Sequence, residues 1–193
     1  MAQSRTLNQE KVVQAATEIA NKDGLSQLTM TSLANYLGIR SQSLYHYVKN
    51  REDLISLVGA SVLRRIREQI VQQIVGLSGR KALLAMADRL RDEMVKLPFM
   101  AGIFYSMRGL QGETRIHDEI VNYLDLVKQI VQADGKEPME VRPQMLVGAV
   151  FGFIFLDSFA LTDNQPSAEE RKREYEVMIM RLITPCNDKK AAN

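Results

Sequence analysis

Apolar residues recur at three- and four-residue spacing along most of the chain, which is the period of an α-helix with one buried face. Between Asn8 and Lys22 the apolar set is Val12, Ala15, Ala16 and Ile19, with Asn8 placed as N-cap and Asp23-Gly24 as the close. Thr29 to Leu37 repeats the pattern in shorter form. The Thr29 hydroxyl can accept an orphan backbone N–H, and Leu33, Ala34 and Leu37 share one face. Gly38 ends this helix, because glycine enters the left-handed region without steric cost. Ile39 follows as a buried plug, and a second short helix starts near Ser41 with Leu44 and Val48 facing inward. Its other face carries Gln42, Ser43, Tyr45, His46 and Lys49, none of which a core needs. A helix, a glycine turn and a second helix with a hydrogen-bonding face make the helix-turn-helix pattern, sized for the major groove of DNA.

The remainder also reads as helix. Asn50 caps a long helix that runs through Leu54, Val58, Val62 and Ile66 to about Val75, with Glu52 and Asp53 in the first turn where acids suit the dipole. Gly76 and Gly79 bracket a break. Arg80 to Leu97 follows, with Leu83, Leu84, Ala87, Leu90 and Met94 inward, and Pro98 ends it. Phe99 to Arg108 is short and apolar, and Gly109 and Gly112 make a loop. Glu113 to Ala133 is amphipathic, Gln144 to Leu161 is apolar on nearly all sides, and Ser167 caps a last helix that Pro185 stops. The expected fold is all-α: a three-helix head and a helical bundle.

Composition adds limits. A 46% hydrophobic content without tryptophan suits a folded helical protein. The single cysteine, Cys186, excludes an intramolecular disulfide and lies far in sequence from both histidines, so no metal site is expected. Residues 1–51 hold six Lys or Arg against three Asp or Glu, whereas residues 52–193 hold nineteen against twenty. A basic head on a near-neutral body fits a nucleic-acid reader on a regulatory domain, and the boundary is drawn there, 1–51 and 52–193. MAQSRTLNQEK lacks the apolar stretch of a signal peptide, and the longest apolar run, Met145 to Leu156, is too short to span a bilayer. A cytoplasmic protein with no membrane partner is expected.

The run LANYLGI…SLYHYVKNREDL resembles the tetracycline-repressor (TetR) family of transcriptional regulators. Leu33-Ala34, Gly38-Ile39, Leu44-Tyr45, Tyr47-Val48, Arg51 and Glu52 fall on that family's pattern, over roughly the first quarter of the chain. One departure is Arg40, which stands where the family often has a capping Ser or Thr, leaving Ser41 as the alternative cap. The side chains themselves suggest tasks. Gln42 can pair with adenine N6 and N7, Ser41 and Ser43 can bond bases or phosphates, and His46 can meet a base edge. Tyr45 and Tyr47 resemble family tyrosines that grip the DNA backbone. Lys49 and Arg51 add charge, and Thr31 can reach a phosphate. The bland alternative is a solvated polar face.

The resemblance also implies a small-molecule pocket in the body, for which Phe104, Met107, Phe151, Phe155 and Asp157 are candidates beside plain core packing. Asp157, an acid in an apolar helix, either takes a polar or cationic ligand group or pairs with an arginine of the fold. Gly148 and Gly152, one turn apart, and the apolar side of the last helix, Val177 and Met180 among it, fit the family's four-helix dimer interface. Close packing within the chain is the alternative. An enzyme is not expected. The chain shows no Gly-rich phosphate loop, no metal-ligand cluster and no cofactor motif, and its histidines are His46 on the polar face and His117 beside Asp118 and Glu119. The expected function is that of a homodimeric regulator, most simply a repressor released from a palindromic operator by a small molecule. The alternatives are an activator, a regulator controlled by a protein partner, or a helical ligand-binding protein without DNA binding.

Overall fold

The computed structural model describes residues 7–106, 115–133, 142–157 and 166–184. Met107, Cys186, Arg5 and the loops expected at Gly109–Gly112 and Asp134-Gly135 lie outside these residues. No strand occurs among the described residues, and the helices group into two compact units.

The first unit comprises Met1–Arg65 and Leu97–Glu119. It opens with α1 (Gln9–Asp23), α2 (Met30–Leu37) and a recognition segment, Ser41–His46, and continues into α3 (Arg51–Gln73). Local chemistry sets the ends. Asn8 Oδ1 accepts the Lys11 N–H at 2.9 Å. Thr29 and Ser32 cap α2 reciprocally, each hydroxyl taking the other's backbone N–H at 3.0 Å. Gly38 closes α2 in the left-handed region at φ 66, ψ 33, and the Ile39 N–H reaches back to Ala34 O. Leu28, Leu33, Leu44 and Leu54 are fully buried, each contributing on the order of 1.5–3 kcal/mol by leaving water. Ile39, expected as a buried plug, is only half-buried.

The recognition segment departs from the expected α-helix. It is a 3-10 helix of six residues, and neither Arg40 nor Ser41 caps it with a side chain. The Ser43 N–H donates instead to the Arg40 carbonyl at 2.9 Å. The Tyr47 N–H likewise donates to the Leu44 carbonyl at 2.9 Å, three residues back, so the segment winds more tightly than an α-helix. Asn50 caps α3 as expected, accepting the Asp53 N–H at 2.8 Å. The unit is completed by α5 (Phe99–Ser106) and the first turns of α6 (Arg115–Ala133). α5 packs on the short turn that follows α1: a Cβ at Gly102 would stand 3.2 Å from Leu25 Cδ2.

The second unit comprises Ile66–Lys96 and Ile120–Asn193 and holds α4 (Gly79–Val95), α7 (Pro143–Asp157) and α8 (Ala168–Ile183) with the later turns of α3 and α6. Helix α4 buries Leu83, Ala87, Leu90 and Met94 as expected, together with Met86, while Leu84 is only half-buried. Ser167 caps α8 in a reciprocal box with Glu170. Tyr175 is buried and donates its hydroxyl to Ala87 O at 2.6 Å, and burial pushes its phenol well above the usual range. Asp157, the odd acid of α7, lies between two arginines. Arg171 Nε is 2.8 Å from Oδ1 and Arg91 Nη2 is 3.8 Å from Oδ2. The shorter contact is a charge pair whose angle misses a hydrogen bond.

Asp88 carries a pH dependence. Burial raises its pKa above the ordinary carboxylate value, and Glu176 and Asp92 add to the rise. The folded chain therefore binds this proton more tightly than the unfolded one. The stabilisation is complete below the unfolded value and is lost as pH rises through the folded value. Asp88→Asn is expected to raise Tm at pH 7, with the gain shrinking as pH falls toward about 4. Melting curves of both proteins across that range check it.

Candidate nucleic-acid interface

The polar face expected to meet DNA is present and turned to solvent. With Leu44 and Val48 in the core, Gln42, Tyr45, His46 and Lys49 are exposed and Ser41 and Ser43 half-exposed. Tyr45 leaves 56% of its surface open, which suits a side chain that waits for a partner. Thr31 is exposed in the first turn of α2, whose orphan N–H groups favour an anion.

Two of the expected contact residues also bond within the head. The Tyr47 hydroxyl, half-buried, donates to Leu7 O at 2.7 Å and pins the chain just before α1. Arg51 donates from Nε to Leu28 O at 2.8 Å and from Nη2 to Leu25 O at 2.9 Å. These bonds bind the start of α3 to the link between α1 and α2. Both residues stand on the motif, yet their polar atoms have partners within the head.

Three residues singled out for no site hold the neighbouring framework. Asp53 accepts the Lys49 N–H at 2.9 Å through Oδ2 and faces Arg115 Nε at 3.3 Å through Oδ1. Gly59 lets α6 approach α3, since a Cβ there would stand 2.6 Å from Ile116 Cδ1. Asp53 was legible only as an acid suited to a helix start, and nothing in the sequence pairs Arg115 with it.

The body candidates divide between the units. Phe104, half-buried on α5, belongs to the first. Phe151 and Phe155, half-buried on α7, and Asp157 belong to the second, and Phe151 meets Tyr123 edge-to-face at 6.0 Å. Among the described residues Gly148 and Gly152 have no neighbour within 4 Å of an added Cβ. They share the open face of α7 with Met145 and Leu156, each 56% exposed. Val177 and Met180 are exposed on α8. No described helix is long and apolar enough to cross a membrane.

No known family model matches the chain. Individual relatives do. An HTH-type transcriptional regulator of Saccharopolyspora erythraea is 34% identical over 113 residues, which is 57% of this chain and 46% of that protein. The class D tetracycline repressor of Escherichia coli is 41% identical over 59 residues, 31% of this chain and 27% of the repressor. The chain thus matches less than half the length of these curated relatives. Among solved structures, AibR in complex with isovaleryl coenzyme A and operator DNA superposes with a TM-score of 0.64 at 16% identity, covering 92% of this chain and 99% of that one. The fold is all-α and shared with TetR/AcrR-family regulators. The head sequence is thus similar to that of tetracycline repressors, and the fold to that of TetR/AcrR-family regulators.

Proposed function

We propose that the chain is a homodimeric repressor that binds a palindromic operator and lets go when a small molecule binds. Residues 1–51 form the DNA-binding domain in this reading, and residues 52–193 carry the effector pocket and the dimer interface. The observation that carries it is the exposed row Gln42, Tyr45, His46 and Lys49, set on a segment whose apolar side is fixed in the core. Gln42 and His46 read base edges. Tyr45, Lys49 and Thr31, with Ser41 and Ser43, hold phosphates. Two such segments related by a two-fold axis match two half-sites. The effector acts by changing the spacing of the two segments. The tetracycline repressor's name and the AibR complex support this, since both belong to proteins that join DNA or drug control to the same fold. A protein with this task works beside the chromosome, in the cytoplasm.

Selecting duplexes from a random-sequence pool with the purified protein tests the reading. Recovery of a palindromic consensus, bound less tightly as salt rises, is the expected result. Recovery of no sequence preference would overturn it. On the selected duplex, Gln42→Ala is expected to relax preference at one base pair per half-site by about 1–3 kcal/mol. Tyr45→Phe is expected to weaken all sequences by a similar factor. Binding constants over single-base operator variants check both. If neither change altered binding, the reading face would lie elsewhere.

A further inference from the structure

We infer that Arg115, on α6, is a positioning residue for the recognition segment, acting through Asp53. The inference rests on the DNA-binding reading above and concerns a residue outside the head sequence. Lys49 lies just beyond the recognition segment, and its peptide sets the path by which that segment leaves for α3. The Lys49 N–H is held by Asp53 Oδ2 at 2.9 Å, and Asp53 is itself fixed at its backbone by Asn50 Oδ1 at 2.8 Å. One carboxylate oxygen thus faces the recognition segment. The other, Oδ1, faces Arg115 Nε at 3.3 Å. A carboxylate with one oxygen on a backbone N–H and the other on a guanidinium has its rotation about the side-chain bonds fixed from both sides.

Arg115 is itself held in place. Its neighbour Ile116 is fully buried against Gly59 of α3, where an added Cβ would come within 2.6 Å of it. One turn on, Glu119 is buried and receives Arg64 Nε at 2.8 Å. Asp53, Gly59 and Arg64 of α3 therefore meet Arg115, Ile116 and Glu119 of α6 along one seam, and all six residues belong to the first unit. The seam sets where the Arg115 guanidinium stands, and Arg115 sets how Asp53 presents its other oxygen. Helix α6 continues beyond this seam into the second unit as the same helix. A rotation of α6 would carry Arg115 with it.

Arg115 and Asp53 are partly exposed, so removing the pair should cost little folding stability. Arg115→Gln is expected to weaken binding to the selected duplex by about two- to fivefold per head, the range that exposed ion pairs support. On a palindrome held by two heads this compounds to about four- to twenty-fivefold. Arg115→Lys should recover most of it. Two readouts separate positioning from other roles. Amide hydrogen exchange at Lys49 should quicken in Arg115→Gln with Tm nearly unchanged. The slope of log affinity against log salt should stay at the wild-type value, whereas loss of a phosphate contact would reduce it by about 0.9 per contact. Asp53→Asn keeps an acceptor for Lys49 but loses the charge pair, and the double variant should bind no worse than the weaker single variant. That cycle stands even if Arg115→Gln lowers Tm, provided all variants are compared where they are folded. Unchanged affinity in Arg115→Gln, a reduced salt slope, or additive losses in the double variant would each overturn the inference. Failure of the wild-type protein to select any duplex would instead overturn the DNA-binding reading, while exchange at Lys49 would still report on Arg115.

Discussion

Gly152→Leu is expected to convert the protein to monomers and to abolish operator binding while leaving each protomer folded. Three observations set this expectation. Among the described residues no atom of the same chain lies within 4 Å of a Cβ at Gly152 or at Gly148, so a larger side chain meets none of them. Replacing glycine in a helix interior also removes an entropic cost of about 1 kcal/mol, so the folded protomer should if anything gain stability. Yet the face is apolar. Met145 and Leu156 flank the two glycines with more than half their surface open, and Val177 and Met180 are open on α8. A second copy covering that face would bring a helix against the glycine backbone, and an isobutyl group there would hold it off. The expected loss of dimer affinity is at least about 30-fold, since overpacking a close contact costs about 1–3 kcal/mol in each of two symmetric copies. Sedimentation and duplex binding read it directly. A variant that remains a tight dimer with full operator affinity would show that another surface joins the protomers.

The head was legible because its signals are local. Asn8, Thr29 and Asn50 act on N–H groups three residues away, and Gly38 acts on its own turn, so sequence spacing and residue type were sufficient. Leu44 and Val48 were read as the inward pair for the same reason. What spacing did not carry was the winding of the recognition segment. The i+4 pair suits an α-helix, but the segment is a 3-10 helix, its first backbone bond closing on the Arg40 carbonyl. Nor did spacing carry the partners of long side chains. Arg51 finds carbonyls at Leu25 and Leu28, Tyr47 finds Leu7, and Arg115 finds Asp53, each through contacts set only once the helices have packed. Glu119 illustrates the limit: nothing in the sequence pairs it with Arg64, yet it is buried against that residue. A motif therefore marked the candidate face, while the partners its side chains find within the head came from tertiary structure.

Asp157→Asn is expected to lower the melting temperature by about 6–12 °C. The sequence left this acid two possible partners, a ligand or an arginine, and the structure gives it two arginines, on α4 and α8. The side chains of Asp157 and Arg91 are only 11% and 10% exposed, and that of Arg171 is 29% exposed. Arg91 is further enclosed by the Tyr175 ring, 5.6 Å from its guanidinium carbon, and its remaining acidic neighbours are Asp92 at 3.8 Å, about half in solvent, and the part-buried Asp88. Neutralising Asp157 therefore leaves two guanidiniums facing each other in a poorly hydrated space. Removing one partner of a buried pair costs about 3–5 kcal/mol; the open side of Arg171 and the long Arg91 contact put this case near 3. At about 2–4 °C per kcal/mol for a chain of this size, the stated fall in Tm follows. The loss should be specific to charge. Asp157→Glu should retain more stability than Asp157→Asn, although the longer stem is nearer in shape to neither. The double variant Asp157→Asn with Arg171→Gln should be less destabilised than the sum of the singles, because it removes the uncompensated cation as well. Thermal melts of the four proteins decide the matter. If Asp157→Asn melted within 1 or 2 °C of wild type, about 1 kcal/mol or less by the same conversion, the arginine pair would not be what holds Asp157 in its apolar helix. A role toward a ligand would then be the better account of that carboxylate.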